Sequence, residues 1–211
     1  MRILLCFILC LCFSSPLFAD ELLPKVQREL RARKFYFGEI DGRASEETVA
    51  SVGKFQEAHG IDKSGQLDHE TLRALGFPES GADDREEARS LAECSTCVLR
   101  YLQAWQSGHW EREAPFFAEV VNYYEDQNVS RDFIRETRAR ENRRWPHRKS
   151  TLLNRIASLL PDHVDQAQVT ARVRTEVAGE SGSPRARTED LVFRLQKTDA
   201  GWRIAALKLL E

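Results

Sequence analysis

The chain has 211 residues, 42% of them hydrophobic, and a formal charge of −2, which is enough for one large domain or two small ones. That balance excludes the general attraction to nucleic acid that a basic excess gives. In chain order, the first nineteen residues stand apart: Arg2, an apolar run from Ile3 to Phe13, then Ser14-Ser15-Pro16 and Leu17-Phe18-Ala19 ahead of the acidic Asp20-Glu21. This is the layout of a secretory signal peptide, with cleavage expected after Ala19. The apolar run is too short and too early broken for a spanning helix, which needs about 20 apolar residues. Without residues 1–19 no membrane span is expected, and the loss of Arg2 takes the charge to −3. Cys6, Cys10 and Cys12 lie inside the run with no lipoprotein-type small residues before them, so only Cys94 and Cys97 remain in the exported chain.

Residues 20–77 read as three short helices. Val26 and Leu30 give the stripe of the first, with Phe35 to Phe37 at its exit; Thr48, Val49, Val52, Phe55 and Ala58 mark the second; Leu67, Leu72 and Leu75 mark the third. Gly38-Glu39-Ile40-Asp41-Gly42 forms a tight loop between the first two. His59-Gly60 suits the end of the second helix, and Asp68 the N-cap of the third. Residues 78–85, opening with Pro78-Glu79-Ser80-Gly81, carry no apolar period and read as a linker.

Residues 86–211 change character along their length. A helix is expected from about Arg85 to Gly108, with Leu91, Cys94, Val98, Tyr101, Leu102 and Trp105 on one face. A second is expected from Pro115 to Tyr124, and a third from Ser130 to Trp145, with Ser130 as N-cap. After Pro146 the period becomes two: a strand region at Ile156 and Leu160, then strands at Val169 to Val177, Leu191 to Leu195 and Trp202 to Ala206. Helices followed by an antiparallel meander make an α+β domain.

Two resemblances follow from the residues. Val26-Gln27-x-x-Leu30, Phe37-Gly38-x-Ile40-Asp41-Gly42, Thr48-x-x-x-Val52-x-x-Phe55-Gln56, His59-Gly60-Ile61, Gly65-x-Leu67 and Thr71-Leu72-x-x-Leu75-Gly76 together resemble the peptidoglycan-binding domain-like family, an all-α three-helix module. This chain departs from the pattern in having Ser45 where the family usually has Gly, and in carrying Gly53 inside the second helix. The resemblance implies peptidoglycan as partner, with Tyr36, Asp41, Arg43, Glu46 and Gln56 as the candidate contacts; the apolar positions of the pattern are core. Further on, Phe117-x-x-x-Val121-x-Tyr123-Tyr124 and Phe193-x-Leu195-x-Lys197-x-Asp199-x-Gly201-Trp202-x-Ile204 resemble the nuclear transport factor 2-like and SnoaL-like fold, a cone of three helices on a curved antiparallel sheet. That fold hosts isomerases, cyclases, dehydratases and plain scaffolds, so it implies a pocket and not a reaction. Tyr123, Tyr124, Asp126 and His147 are the polar residues expected near its mouth, and pairing of two copies through the open sheet face is expected.

Other signals are set against plainer readings. Cys94-Ser95-Thr96-Cys97 has the spacing of redox and zinc sites, but it lacks both the βαβ context and a second ligand pair, so buried thiols are expected. The basic run Arg138 to Lys149 is interleaved with Glu141 and follows Asp132 and Glu136, which fits a solvated helix face; gripping an anionic polymer is the alternative. The chain beyond residue 19 shows no phosphate loop, HExxH or GxSxG, and no cofactor or metal is expected. The leading expectation is an exported, periplasmic or secreted, non-catalytic protein that binds peptidoglycan and can engage other envelope proteins. An enzyme with its site in the cone, acting on a small molecule or wall fragment, and a protein-interaction scaffold are the alternatives.

Overall fold

The computed structural model describes residues 22–77, 84–160, 163–180 and 182–210. The expected signal segment, 1–19, and most of the expected linker lie outside the described residues; the last two linker positions already belong to the helix that begins at Asp84.

Helix α1, Leu22–Ala32, buries Leu22, Leu23, Val26 and Leu30, one face of a 3.6-residue period. It ends where Lys34 turns left-handed and the Phe35 amide returns to the Leu30 carbonyl at 2.8 Å. Helix α2, Glu46–Ala58, starts at Ser45, whose hydroxyl accepts from the Thr48 amide at 3.1 Å. It stops at Gly60, whose φ of 72° closes a turn in which the Ile61 amide bonds the Gln56 carbonyl at 2.9 Å. Helix α3, His69–Ala74, has the expected Asp68 N-cap, bonded to the Thr71 amide at 2.8 Å.

The rest of the chain begins with α4, Asp84–Gln106, followed by the short α5, Trp110–Glu113. Then come strands β1, Phe117–Tyr123, and β2, Asp126–Ser130; helix α6, Arg131–Arg144; and strands β3, His147–Leu160, β4, His163–Ala178, β5, Arg185–Thr198, and β6, Gly201–Leu209. They form one sheet in the order β2-β1-β6-β5-β4-β3, antiparallel except for the parallel β1–β6 pair.

The helix expected over Pro115–Tyr124 is instead a single 3-10 turn, Ala114–Phe116, and strand β1. The reason is a break in register: pairing with β6 slips between Phe117 and Asn122. Alternation breaks with it: Phe117 and Ala118 are buried side by side, Glu119 and Val120 are exposed and Val121 is buried again, so this strand carries its buried residues at helical spacing. Ser130 caps α6 as expected, accepting from Phe133 at 3.4 Å.

The sheet has two different faces. Val169, Ala171, Val173, Leu191, Phe193 and Leu195 point inward, where α4 lays Leu91, Cys94, Val98 and Tyr101 upon them. Their neighbours in the strands, Thr170, Asp190 and Val192, face the other way and are also buried. Part of that outer face is covered by the helical unit. Ile156 of β3 belongs to the same apolar cluster as Val26, Leu30, Val52 and Phe55. Leu67 pairs in parallel with Ser158, its amide bonding the Ala157 carbonyl at 3.1 Å, while the Ala157 amide donates to Gln66 Oε1 at 2.9 Å. Arg43 Nε sits 3.3 Å from Asp190 Oδ2. The helical unit thereby caps the free edge of β3, a position that otherwise invites pairing with another chain. It also occupies part of the face through which two copies were expected to pair.

Ile156→Asp should open this junction, because it sets a carboxylate in an apolar cluster. The expected result is fast hydrogen exchange at the Leu67 and Ala157 amides, with the amides between β4 and β5 still protected. Unchanged protection at Leu67 would show that the cluster does not hold the helical unit to the sheet.

Candidate functional site

Two surfaces concern function, one on the helical unit and one in the cone. On the helical unit, the loop after α1 is organised from within by a buried amide. Gln27 Nε2 lies 3.0 Å from Asp41 Oδ1 and 3.2 Å from Thr48 Oγ1, and its Oε1 accepts from the Gly42 amide at 2.8 Å. Asp41 also accepts from the Arg43 amide at 2.9 Å, a short turn closed by its own side chain. Gly42 is left-handed at φ 71°, a conformation that strains other residues, and a Cβ there would crowd Pro24 Cγ at 3.0 Å.

Four of the five candidate contacts on this unit serve its architecture. Tyr36 is buried and its hydroxyl donates to the Glu39 carbonyl. Gln56 is 0% exposed: Oε1 accepts from the Gly65 amide at 2.8 Å, and Nε2 donates to the Gln66 carbonyl and Thr71 Oγ1, each at 2.9 Å. Asp41 is held by Gln27, and Arg43 turns toward Asp190 of the sheet. Glu46 alone is exposed, at the start of α2. Phe37 is 78% exposed, on a backbone stretch that Arg31 braces by donating to the Gly38 carbonyl. Gly38 passes so close to α2 that a Cβ would lie 2.6 Å from Glu47 Oε2. Phe37 and Glu39 are thus exposed on either side of Gly38, where the chain passes the start of α2. Phe37 was read as part of the helix exit, and a one-dimensional apolar pattern carries no sign that this ring stays in solvent.

In the cone lies a cavity of about 820 Å³. Tyr101, Leu102 and Trp105 of α4 line it together with the buried Leu191 and Leu207 and the partly exposed Leu209. Six arginines surround it: Arg138, Arg140 and Arg144 on α6, Arg148 on β3, and Arg185 and Arg187 on β5, against the carboxylates of Glu141 and Glu189. Of the expected mouth residues, Tyr124 lines the cavity. Tyr123 is buried against it, with ring centroids 4.8 Å apart, and its hydroxyl has no hydrogen-bond partner. Asp126 is exposed at the start of β2, and His147 is exposed at the start of β3 opposite Ala178; neither lines the cavity.

Arg138 is the anchor of this wall. It is 3% exposed, with Nη2 donating to Tyr101 Oη at 2.5 Å and Nη1 to Glu141 Oε2 at 2.7 Å. Its Nε lies 3.2 Å from Glu113 Oε2, close enough for strong attraction but not aligned as a hydrogen bond. Glu113 is 0% exposed; burial pushes its carboxyl pKa up, and Arg138 opposes that shift. Burial likewise raises the Tyr101 and Tyr124 phenols, so both stay protonated donors at neutral pH. Arg148 lies over Trp105, 4.8 Å from the ring centroid, and donates to the Trp145 carbonyl. Burial, reinforced by the nearby Arg138 cation, lowers its pKa. Arg144 and Arg185 flank the Trp145 ring at 5.1 and 5.2 Å.

The sequence placed four of these six arginines in a run read as a solvated helix face; Arg140, Arg143 and Arg144 are exposed on α6, but Arg138 is buried within it. What it missed is convergence: Arg185 and Arg187 arrive from a strand some forty residues later, onto the same opening. The cysteines behave as expected. Cys94 and Cys97 are free and buried, Cys97 donates weakly to the Trp202 carbonyl at 3.4 Å, and burial raises both thiols, that of Cys97 to about 11. No group of three metal-binding side chains occurs among the described residues.

Residues 20–75 match the family described as "Putative peptidoglycan binding domain". The helical unit is a peptidoglycan-binding domain-like module. The remainder of the chain shares its fold with solved structures of the nuclear transport factor 2-like kind. One, titled a "Putative Scytalone Dehydratase" from Novosphingobium aromaticivorans, superposes with a TM-score of 0.55 at 13% identity, covering 60% of this chain and 87% of that one. Another from the same organism, titled a "putative aromatic ring hydroxylase", gives 0.53 at 16% identity over 58% and 88%. A nuclear transport factor 2-like superfamily protein from Salmonella enterica gives 0.51 at 13% identity over 58% and 90%. At such identities the likeness shows the fold alone. No curated protein matches the chain.

The peptidoglycan-binding domain-like module therefore accounts for the three helices, and the nuclear transport factor 2-like cone for the sheet and its cavity. The cone is built as expected from helices on a curved sheet, with the parallel β1–β6 pair making that sheet mixed.

Proposed function

We propose that this chain is an exported cell-envelope protein that attaches to peptidoglycan through its helical module and presents the cone as a binding site for a second ligand. The observation that carries the reading is the match of residues 20–75 to a wall-binding family, together with an open Phe37–Glu39 edge on that module. An aromatic ring offers the apolar face of a sugar a flat partner, and the carboxylates of Glu46 and Glu47 at the α2 start can accept from amide donors of glycan or stem peptide. The Asp41-Gly42-Arg43 side of the loop, turned to the sheet, serves instead to fix the module's orientation. Export accords with the signal-like residues 1–19, and no helix among the described residues is long and apolar enough to cross a membrane.

A binding role for the cone follows from its carboxylates. A carboxylate acting as general acid or base would face the cavity and be free to exchange a proton. Glu141 is paired with Arg138, Glu189 with Arg187 at 2.9 Å, and Glu113, whose pKa is raised, does not line the cavity.

The chain from residue 20 onward should sediment with purified sacculi. Phe37→Ala should lower its apparent affinity roughly fivefold, the equivalent of about 1 kcal/mol for one aromatic contact. Sedimentation no greater than that of a charge-matched unrelated protein would end the wall-binding reading.

A further inference from the structure

The cone's cavity has a chemical character that its fold does not impose. Its six arginines face two carboxylates, and each of those already neutralises an arginine, Glu141 with Arg138 and Glu189 with Arg187. Among the described residues no ion pair engages Arg140, Arg144, Arg148 or Arg185. Arg148 Nη1 is buried and without a hydrogen-bond partner, an orphaned charged donor beside the cavity. Such a donor costs more to leave unmet than a neutral one, and an incoming oxyanion would meet it. Clustered cations on low-dielectric walls also concentrate positive potential over the opening. Between them stand Trp105 and Trp145, each already paired with a guanidinium. Leucines and the phenols of Tyr101 and Tyr124 also line the cavity. The volume, about 820 Å³, lies within the range that holds a small molecule rather than a polymer.

We propose that the cavity binds small acids whose carboxylate or phosphate is held by Arg148 and Arg185, with the body of the ligand packed against the tryptophans and the lining leucines. This deepens the reading of the cone as a binding site and names the class of its ligand. Arg138 acts as a positioning residue: its guanidinium is committed to Tyr101, Glu113 and Glu141, and it holds the wall on which the other cations stand.

The test is titration of the chain from residue 20 onward with three probes: N-acetylmuramic acid, N-acetylglucosamine 1-phosphate and neutral N-acetylglucosamine. Tryptophan fluorescence is the readout, because Trp105 and Trp145 line the cavity. At least one acid should bind saturably and at least tenfold more tightly than the neutral sugar, and 0.5 M NaCl should weaken it. The carboxylate and phosphate arms tell the two sources of oxyanion apart. Arg148→Gln should weaken the acid tenfold or more, the scale of a lost charge-assisted hydrogen bond. Arg185→Gln, at an exposed position where folding is not at stake, should weaken it in the same direction. Equal binding of the neutral sugar, no saturable binding of either acid at millimolar concentration, or unchanged affinity in both variants overturns the proposal. Sacculus sedimentation of Arg148→Gln, expected to be unaltered, keeps failure here distinct from failure of the wall-binding reading.

Discussion

Glu113→Ala should lower the stability of the protein by about 3–5 kcal/mol, the usual cost of stranding one partner of a buried ion pair. Glu113 is fully enclosed, and its removal leaves the Arg138 guanidinium, itself 3% exposed, with Tyr101 and the half-exposed Glu141 as partners. For a chain of this length that is about 10 °C in melting temperature. Replacing both residues, Glu113→Leu with Arg138→Met, should recover most of the loss, since two well-packed apolar groups need no counterion. A double variant no better than Glu113→Ala would show that Arg138 does more than balance this charge. The same carboxyl sets a pH dependence. Burial raises its pKa in the folded protein, so the native state holds the proton more tightly than the unfolded chain. Its contribution to stability is complete at pH below the ordinary glutamate range, near 4, and is lost as pH rises through the folded value. Asp190, also raised chiefly by burial, adds to the slope in the same direction. Denaturant melts between pH 4 and 8 should show this decline, and Glu113→Gln should flatten it.

Phe55→Ala should cost about 3–5 kcal/mol in the helical module. Phe55 is wholly buried, meets Phe35 edge-on at 5.4 Å and lies 4.0 Å from the His59 ring, and it belongs to the cluster that also includes Val26 and Leu30. A unit of some 55 residues has little stability in reserve, so this loss is comparable to all that it holds. Two probes separate the halves of the chain. All four tryptophans, Trp105, Trp110, Trp145 and Trp202, belong to the cone, whereas far-ultraviolet circular dichroism reports helices in both parts. The expected result is an early fall in helical signal with the tryptophan transition little moved. Coincident transitions, displaced equally, would mean that the junction at Ile156 and Leu67 makes the whole chain one cooperative unit.

Local chemistry was well expressed in the sequence. Asp68 and Ser130 cap helices because a short oxygen-bearing side chain satisfies an amide that the helix cannot. The strands at Val169 to Val177 and Leu191 to Leu195 alternate because one face of the sheet is covered by α4. Strand β1 was hidden by its broken alternation, in which Phe117 and Ala118 are buried together and Glu119 and Val120 exposed before Val121 is buried again.

By itself, then, the sequence determined most of the helices and the strands after Pro146, the core of each part, the resemblance of residues 24–76 to a wall-binding module and the burial of the two cysteines. These are properties of neighbouring residues, read out by periodicity and by the needs of the backbone. Only tertiary structure decided which side chains stay open to solvent. Gln56 and Tyr36 were spent inside the module, Arg43 was drawn to Asp190, and Phe37 was left in solvent. It also gathered Arg148, Arg185 and Arg187 around one opening. The physical reason is that convergence depends on strand order and on how one unit docks upon another, and contacts between residues far apart in the chain leave no period along it.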